Sequence, residues 1–160
     1  MATYVMSDIH GEFDQFIHML HLISFKEMDQ LYVLGDMIDR GPKSIETITY
    51  IKNAQNIEAI MGNHEDMLLD AVTSYGFTGS TATRILQGTD THKTYKSLRK
   101  LWYKNRGEAM GLFSYLKKLS LYKEVEVNEK KYLLVHGGIK YGELEKNEKE
   151  DFLWIREEFL

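Results

Sequence analysis

Three short apolar runs, Thr3 to Met6, Leu31 to Leu34 and Ile57 to Met61, each end in a cluster of Gly, Asp, Asn or His. Runs of this length bounded by turn residues read as buried strands. Between them, Phe13, Phe16, Ile17 and Leu20, and then Ile45, Ile48 and Ile51, recur at helical spacing. Strand, helix, strand, helix, strand requires parallel crossovers and so an α/β sheet. The second helix has a marked start, with Gly41 in the turn and Pro42, the only proline, where a missing N–H costs nothing.

Beyond the third strand the pattern changes. Glu65 to Leu119 is mostly helical, interrupted by a Gly, Ser and Thr-rich loop at Gly76 to Gly88, and is read as a cap at about residues 65–119 of a single domain. Val125 and Val127 then alternate with Glu124 and Glu126, a turn follows at Asn128 to Lys130, and Tyr132 to Val135 resumes as a strand. That predicts a hairpin ending at His136. Phe152 to Leu160 is apolar and helix-like.

Ligands of open parallel sheets bind beyond the carboxyl ends of the strands. Asp8 and His10 follow the first strand, Asp36 and Asp39 the second, Asn63 and His64 the third, and His136 the hairpin. Each Asp alone would more often be a turn residue or helix cap, and each His an ordinary polar residue. Together they form one oxygen and imidazole set suited to two adjacent metals sharing a carboxylate. A shared carboxylate needs a central strand, which points to Asp36.

The absence of cysteine excludes disulfides, thiolate metal sites and a cysteine nucleophile, and leaves the cytoplasm as the default compartment. A formal charge of −4 argues against general nucleic-acid affinity, and no segment is apolar for long enough to cross a membrane. Lys93 to Arg106 mixes six basic residues with Tyr95, Trp102 and Tyr103, but the apolar stripe Tyr95, Leu98, Leu101 and Trp102 makes it a cap helix with a basic outer face. His18, His21 and His92 fit no motif.

Asp8-Ile9-His10-Gly11, Gly35-Asp36-Met37-Ile38-Asp39-Arg40-Gly41, Gly62-Asn63-His64-Glu65 and His136-Gly137-Gly138 resemble, in order, the motifs of the metallophosphoesterases. The Asp-Arg-Gly and Asn-His-Glu forms resemble the serine/threonine phosphoprotein phosphatase branch. The resemblance implies an α/β layered β-sandwich flanked by helices, whose last strands and a final Gly-His motif fall beyond this sequence, leaving the second metal weakly held. It implies Asp8, His10 and Asp36 on one divalent metal and Asp36, Asn63 and His136 on the other, with Mn first and Fe, Zn, Co or Ni as alternatives. A hydroxide bridging the two would attack phosphorus in line, His64 would act as general acid oriented by Asp39, and Arg40 would clamp the phosphate. Arg156 resembles a second clamp, although Glu157 and Glu158 beside it equally fit a solvated helix face. The expected substrate is a phosphoprotein, with a phosphorylated small molecule, a symmetrically cleaved dinucleoside tetraphosphate, as the alternative. A non-catalytic module binding metal or phosphate is the reading of another class.

Overall fold

In the computed structural model, which describes residues 1–155 apart from the side chains of Ser80 and Thr81, the three apolar runs pair as expected. Strands β1 (Thr3–Met6), β2 (Gln30–Val33) and β3 (Ile57–Ala59) form a parallel sheet in the order β1-β2-β3. Tyr4 pairs with Leu31, and Val33 with Ala59. The strand preceding Asp36 is therefore the central one. Helices α1 (Phe13–Leu22) and α2 (Ser44–Asn53) make the two crossovers and bury Phe16, Leu20, Ile48 and Ile51.

Pairing continues past the strands into the loops that follow them. Leu34 N donates to Met6 O at 2.8 Å, His10 N to Asp36 O at 2.8 Å, Gly11 N to Met37 O at 2.8 Å and Ile60 N to Val33 O at 2.9 Å. These bonds lock the loops after β1, β2 and β3 to one another. Gly35 and Gly62 allow the closest approach: a Cβ on Gly35, whose φ is +77°, would lie 2.4 Å from the Gly62 Cα. Any side chain there would force two of the loops apart.

Residues 63–116 carry α3 (Asn63–Tyr75), α4 (Ser80–Ile85), α5 (Thr91–Lys104) and α6 (Arg106–Leu116). The segment read as a loop at Gly76 to Gly88 thus contains one short helix. α5 packs on α2, α3 and α6, so that Tyr95, Leu98, Leu112 and Leu116 enter the same apolar cluster as Val33, Ile48 and Leu68. Local pattern shows that α5 is amphipathic; its partner is set by the chain folding back.

The hairpin has the expected form. β4 (Tyr122–Val127) pairs antiparallel with β5 (Lys130–Val135) as a separate two-stranded sheet. Asn128 and Glu129 both have positive φ, 52° and 63°, as a two-residue turn between twisted strands requires. Met61 N donates to Ser120 O at 2.8 Å, and Lys123 pairs with Glu58, which docks the hairpin beside β3. After a 3₁₀ turn at Leu144–Lys146, α7 (Lys149–Trp154) buries Phe152 and Leu153 and meets Gly137 through the Phe152 carbonyl, 2.6 Å from Gly137 N. No helix among the described residues is long and apolar enough to cross a membrane.

If α5 belongs to the common core, Leu98→Ala should lower the unfolding free energy by about 2–5 kcal/mol, the cost of deleting a buried leucine side chain. Urea titration should show one cooperative transition shifted to lower denaturant. A separate early transition, or no shift, would mean that α5 folds apart from the sheet.

Candidate metal centre

The backbone beyond each strand turns abruptly. Asp8, His10, Asp36, Asp39 and Arg40 have φ of 57°, 48°, 54°, 70° and 61°, and they are five of the eight non-glycine residues with positive φ among those described. Such a conformation is costly for residues with a Cβ and persists only where surrounding bonds impose it. Glu65 supplies the bonds at the centre. Its fully buried carboxylate accepts from Asp36 N at 2.8 Å and Gly62 N at 3.0 Å through Oε2, and from Met37 N at 2.8 Å through Oε1. Burial and the nearby Asp36 raise its pKa to about 7, against the pull of the three peptide donors.

The Asp36 carboxylate, held in this way, presents its two oxygens to different neighbours. Oδ2 lies 3.6 Å from His10 Nε2, while Oδ1 lies 3.6 Å from His136 Nε2. Asp8 Oδ1 stands 3.6 Å from His10 Nε2 on the first side, and Asn63 Oδ1 stands 2.8 Å from His136 Nε2 on the second. All five residues expected to hold metal therefore converge on one carboxylate. His10, Asp36 and His64 also offer one atom each within 4.8 Å of one another.

The orientation of the imidazoles supports that reading of the donor set. His10 Nδ1 faces the Ile38 carbonyl at 2.9 Å, His136 Nδ1 the Leu34 carbonyl at 2.7 Å and His64 Nδ1 the Asp39 carboxylate at 2.8 Å. An oxygen that only accepts places a proton on each Nδ1, which leaves a neutral imidazole its lone pair at Nε2; at His136 the Nε2 faces a second acceptor, Asn63 Oδ1 at 2.8 Å, a pair of atoms that calls for a cation or a second ring proton between them. Arg40 Nη1, which can only donate, lies 2.8 Å from His10 Nε2 and agrees with this tautomer. Oxygen and imidazole donors, oriented by outer hydrogen bonds and lacking sulfur, fit hard or borderline divalent ions.

The Asp39 and His64 pair is buried, at 0% and 3% exposure. Burial opposes protonation of His64, but its bond to Asp39 and the field of Asp36 outweigh it and raise the pKa. Arg40 Nη2 lies 3.4 Å from His64 Nε2, and Arg40 Nε pairs with Asp90 at 3.1 Å. Arg156 lies outside the described residues.

Three contributors to this site were missed in the sequence. Thr91 Oγ1 donates to Asp39 Oδ2 at 3.2 Å, while Asp39 N donates to Ser44 Oγ at 3.0 Å and Thr94 Oγ1 at 3.1 Å. Thr91 and Thr94 come from α5, more than 50 residues away, and no local spacing signals them. Glu65 was seen only as a family mark, although an acid at N3 of a helix commonly reaches back to the N-cap N–H, as it does here to Gly62 N.

Glu65→Gln would turn an amide NH2 toward a peptide N–H and leave a buried donor unmet. The loss should be about 1–3 kcal/mol by denaturant titration of metal-free protein. An unchanged midpoint would show that Glu65 does not hold Asp36 in place.

The model of the calcineurin-like phosphoesterases matches residues 1–159. A symmetrical bis(5'-nucleosyl)-tetraphosphatase of Psychromonas ingrahamii is 44% identical over 71 residues, which are 43% of this chain and 26% of that protein. Its counterpart in Vibrio parahaemolyticus is 41% identical over 78 residues, 48% of this chain and 28% of that protein. The match thus spans little more than a quarter of these relatives' length. Among solved structures, a metallophosphoesterase from Sphaerobacter thermophilus superposes with a TM-score of 0.60 at 15% identity, over 96% of this chain and 49% of that one. A protein serine/threonine phosphatase from Saccharomyces cerevisiae gives 0.53 at 20% identity, over 97% of this chain and 46% of that one. The likeness to both structures is one of fold. The family match over nearly the whole chain, on a sheet whose strand ends gather these oxygen and imidazole side chains, shows that the protein belongs to the calcineurin-like phosphoesterases.

Proposed function

We propose that this chain carries the hydrolytic centre of a metal-dependent phosphohydrolase that cleaves a dinucleoside tetraphosphate symmetrically. The observation that carries the hydrolytic reading is the two-sided Asp36 carboxylate, 3.6 Å from His10 Nε2 on one side and 3.6 Å from His136 Nε2 on the other. Asp8, His10 and Asp36 would hold one divalent ion, and Asp36, Asn63 and His136 the second, manganese being the first choice. When bound, such a pair supplies Lewis acidity toward phosphoryl oxygens and makes water acidic enough to react near neutral pH.

The chain's own residues account for the remainder. Arg40 donates to the non-bridging oxygens of the phosphoryl group, which fixes its orientation and neutralises charge as it spreads over them. His64 holds a proton at Nε2 in its imidazolium form, favoured by Asp39 at Nδ1, and passes it to the departing oxygen. Thr91 fixes the Asp39 carboxylate from the far side. Arg156 is proposed as a second contact to the phosphate.

Substrate choice rests on the relatives named above. The Asn-His-Glu form favours a phosphoprotein by resemblance, but Glu65 is accounted for by the three peptide N–H groups from which it accepts, a role blind to substrate. A nucleoside diphosphate also leaves more readily than a serine alkoxide, so the two substrates place different demands on His64.

Manganese-dependent release of nucleoside diphosphate from diadenosine tetraphosphate should exceed hydrolysis of a phosphoserine peptide at least about tenfold in kcat/KM, a difference of about 1.4 kcal/mol in transition-state binding. Asp36→Asn should abolish both. The opposite preference would transfer the site to phosphoproteins, and silence throughout would leave a binding module.

His64→Gln should cost about 10²–10⁴ in kcat on the peptide and clearly less on p-nitrophenyl phosphate, whose leaving group needs little proton donation. Thr91→Val should follow the same order with a smaller loss, and Thr91→Ser should restore the rate. Equal losses on both esters would remove His64 from proton transfer.

A further inference from the structure

A pocket of about 270 Å³ opens between α5 and the turn that begins α2, and is lined by Gly41, Pro42, His92, Lys93, Lys96 and Lys100. The lysines fall at i, i+3 and i+7 and so share one face of α5, opposite the stripe that buries Tyr95 and Leu98. The pocket has no carboxylate in its lining. Lys96 and Lys100 form no ion pair among the described residues, although the chain has 24 acidic residues against 20 basic ones. A basic face on a solvated helix is common. Three lysines around an acid-free hollow are a stronger signal, because like charges placed together repel unless an anion joins them.

The pocket also adjoins the candidate centre. Lys93 Nζ donates to the Arg40 carbonyl at 3.3 Å, and Gly41 and Pro42 directly follow the arginine that faces His10 and His64. Ser44, also in the lining, holds Asp39 N through its Oγ. Lys93 thus touches the backbone of the residue whose guanidinium faces the centre, and the lysines are joined to the centre through the Arg40 to Ser44 loop. We infer that this pocket binds the uncleaved phosphates of a polyphosphate substrate, with Lys96 and Lys100 as the donors that set substrate class. Lysines suit the task, since a mobile ammonium on a long stem can follow a flexible chain. The inference deepens the dinucleoside tetraphosphate reading and rests on it.

Steady-state kinetics with manganese on the Lys96→Gln/Lys100→Gln double variant test it. KM for diadenosine tetraphosphate should rise about tenfold, the size of one lost charge-assisted contact pair. KM for p-nitrophenyl phosphate, which has a single phosphate, is the internal reference and should not move. Lys104→Gln, which removes one such charge from α5 outside the pocket, should leave both values alone. Inorganic triphosphate should inhibit p-nitrophenyl phosphate hydrolysis about tenfold less well in the double variant, and should bind it correspondingly more weakly by calorimetry. Unchanged values, equal changes on both substrates, or the same effect from Lys104→Gln would overturn the proposal. If the unaltered protein ignores diadenosine tetraphosphate, the substrate reading fails by itself. The triphosphate measurements then still decide whether the pocket takes a phosphate chain.

Discussion

Glu65 accepts hydrogen bonds from the peptide N–H groups of Asp36, Met37 and Gly62, and the geometry of the centre depends on that carboxylate. A strand that ends in a left-handed turn leaves N–H groups pointing into the protein, where no water can meet them. One buried acid satisfies three such groups and ties the loop after β2 to the loop after β3. Asp36 can then turn both oxygens outward to separate neighbours, with its own side chain almost fully buried. The strain of five left-handed residues is localised here and is carried by the bonds around it.

A second layer orients what the first positions. Three imidazoles are pinned at Nδ1, two by carbonyls of neighbouring loops and one by Asp39, so that each Nε2 is turned inward. Asp39 is in turn held by Ser44, Thr91 and Thr94. α5 therefore does more than cover the sheet. Its first turn holds Asp39, the partner of His64 Nδ1, the Asp90 just before it pairs with Arg40, and Lys93, Lys96 and Lys100 lie beside the same loop. A shift of α5 would be felt at Asp39 and Arg40 together.

Much of this was legible in the sequence where the cause is local. The strand ends were marked by apolar runs stopping at Gly, Asp, Asn and His, and the hairpin by alternation and Asn128, so the positions of Asp8, His10, Asp36, Asn63, His64 and His136 followed from chain order. Gly76 to Gly88 was read as a loop because its Gly, Ser and Thr residues have weak helix propensity, yet Ser80–Ile85 is helical, with Ala82 buried in the core. Tertiary burial outweighs propensity in so short a segment. His92 fitted no motif because a pocket wall built from two elements has no linear signature.

The α/β class, the succession of strands and helices and the side chains that follow the strands' carboxyl ends are legible in the sequence, because periodicity and turn chemistry are properties of neighbouring residues. Folding in three dimensions is what brings Glu65 to the loop of Asp36, Thr91 and Thr94 to Asp39, and Lys93, Lys96 and Lys100 to one hollow with Gly41. These are contacts between segments 28 to 55 residues apart in the chain or between separate helices, fixed by how α3 and α5 pack on the sheet and on α2. Packing of that kind answers to the shape of the whole core, which no window of sequence contains.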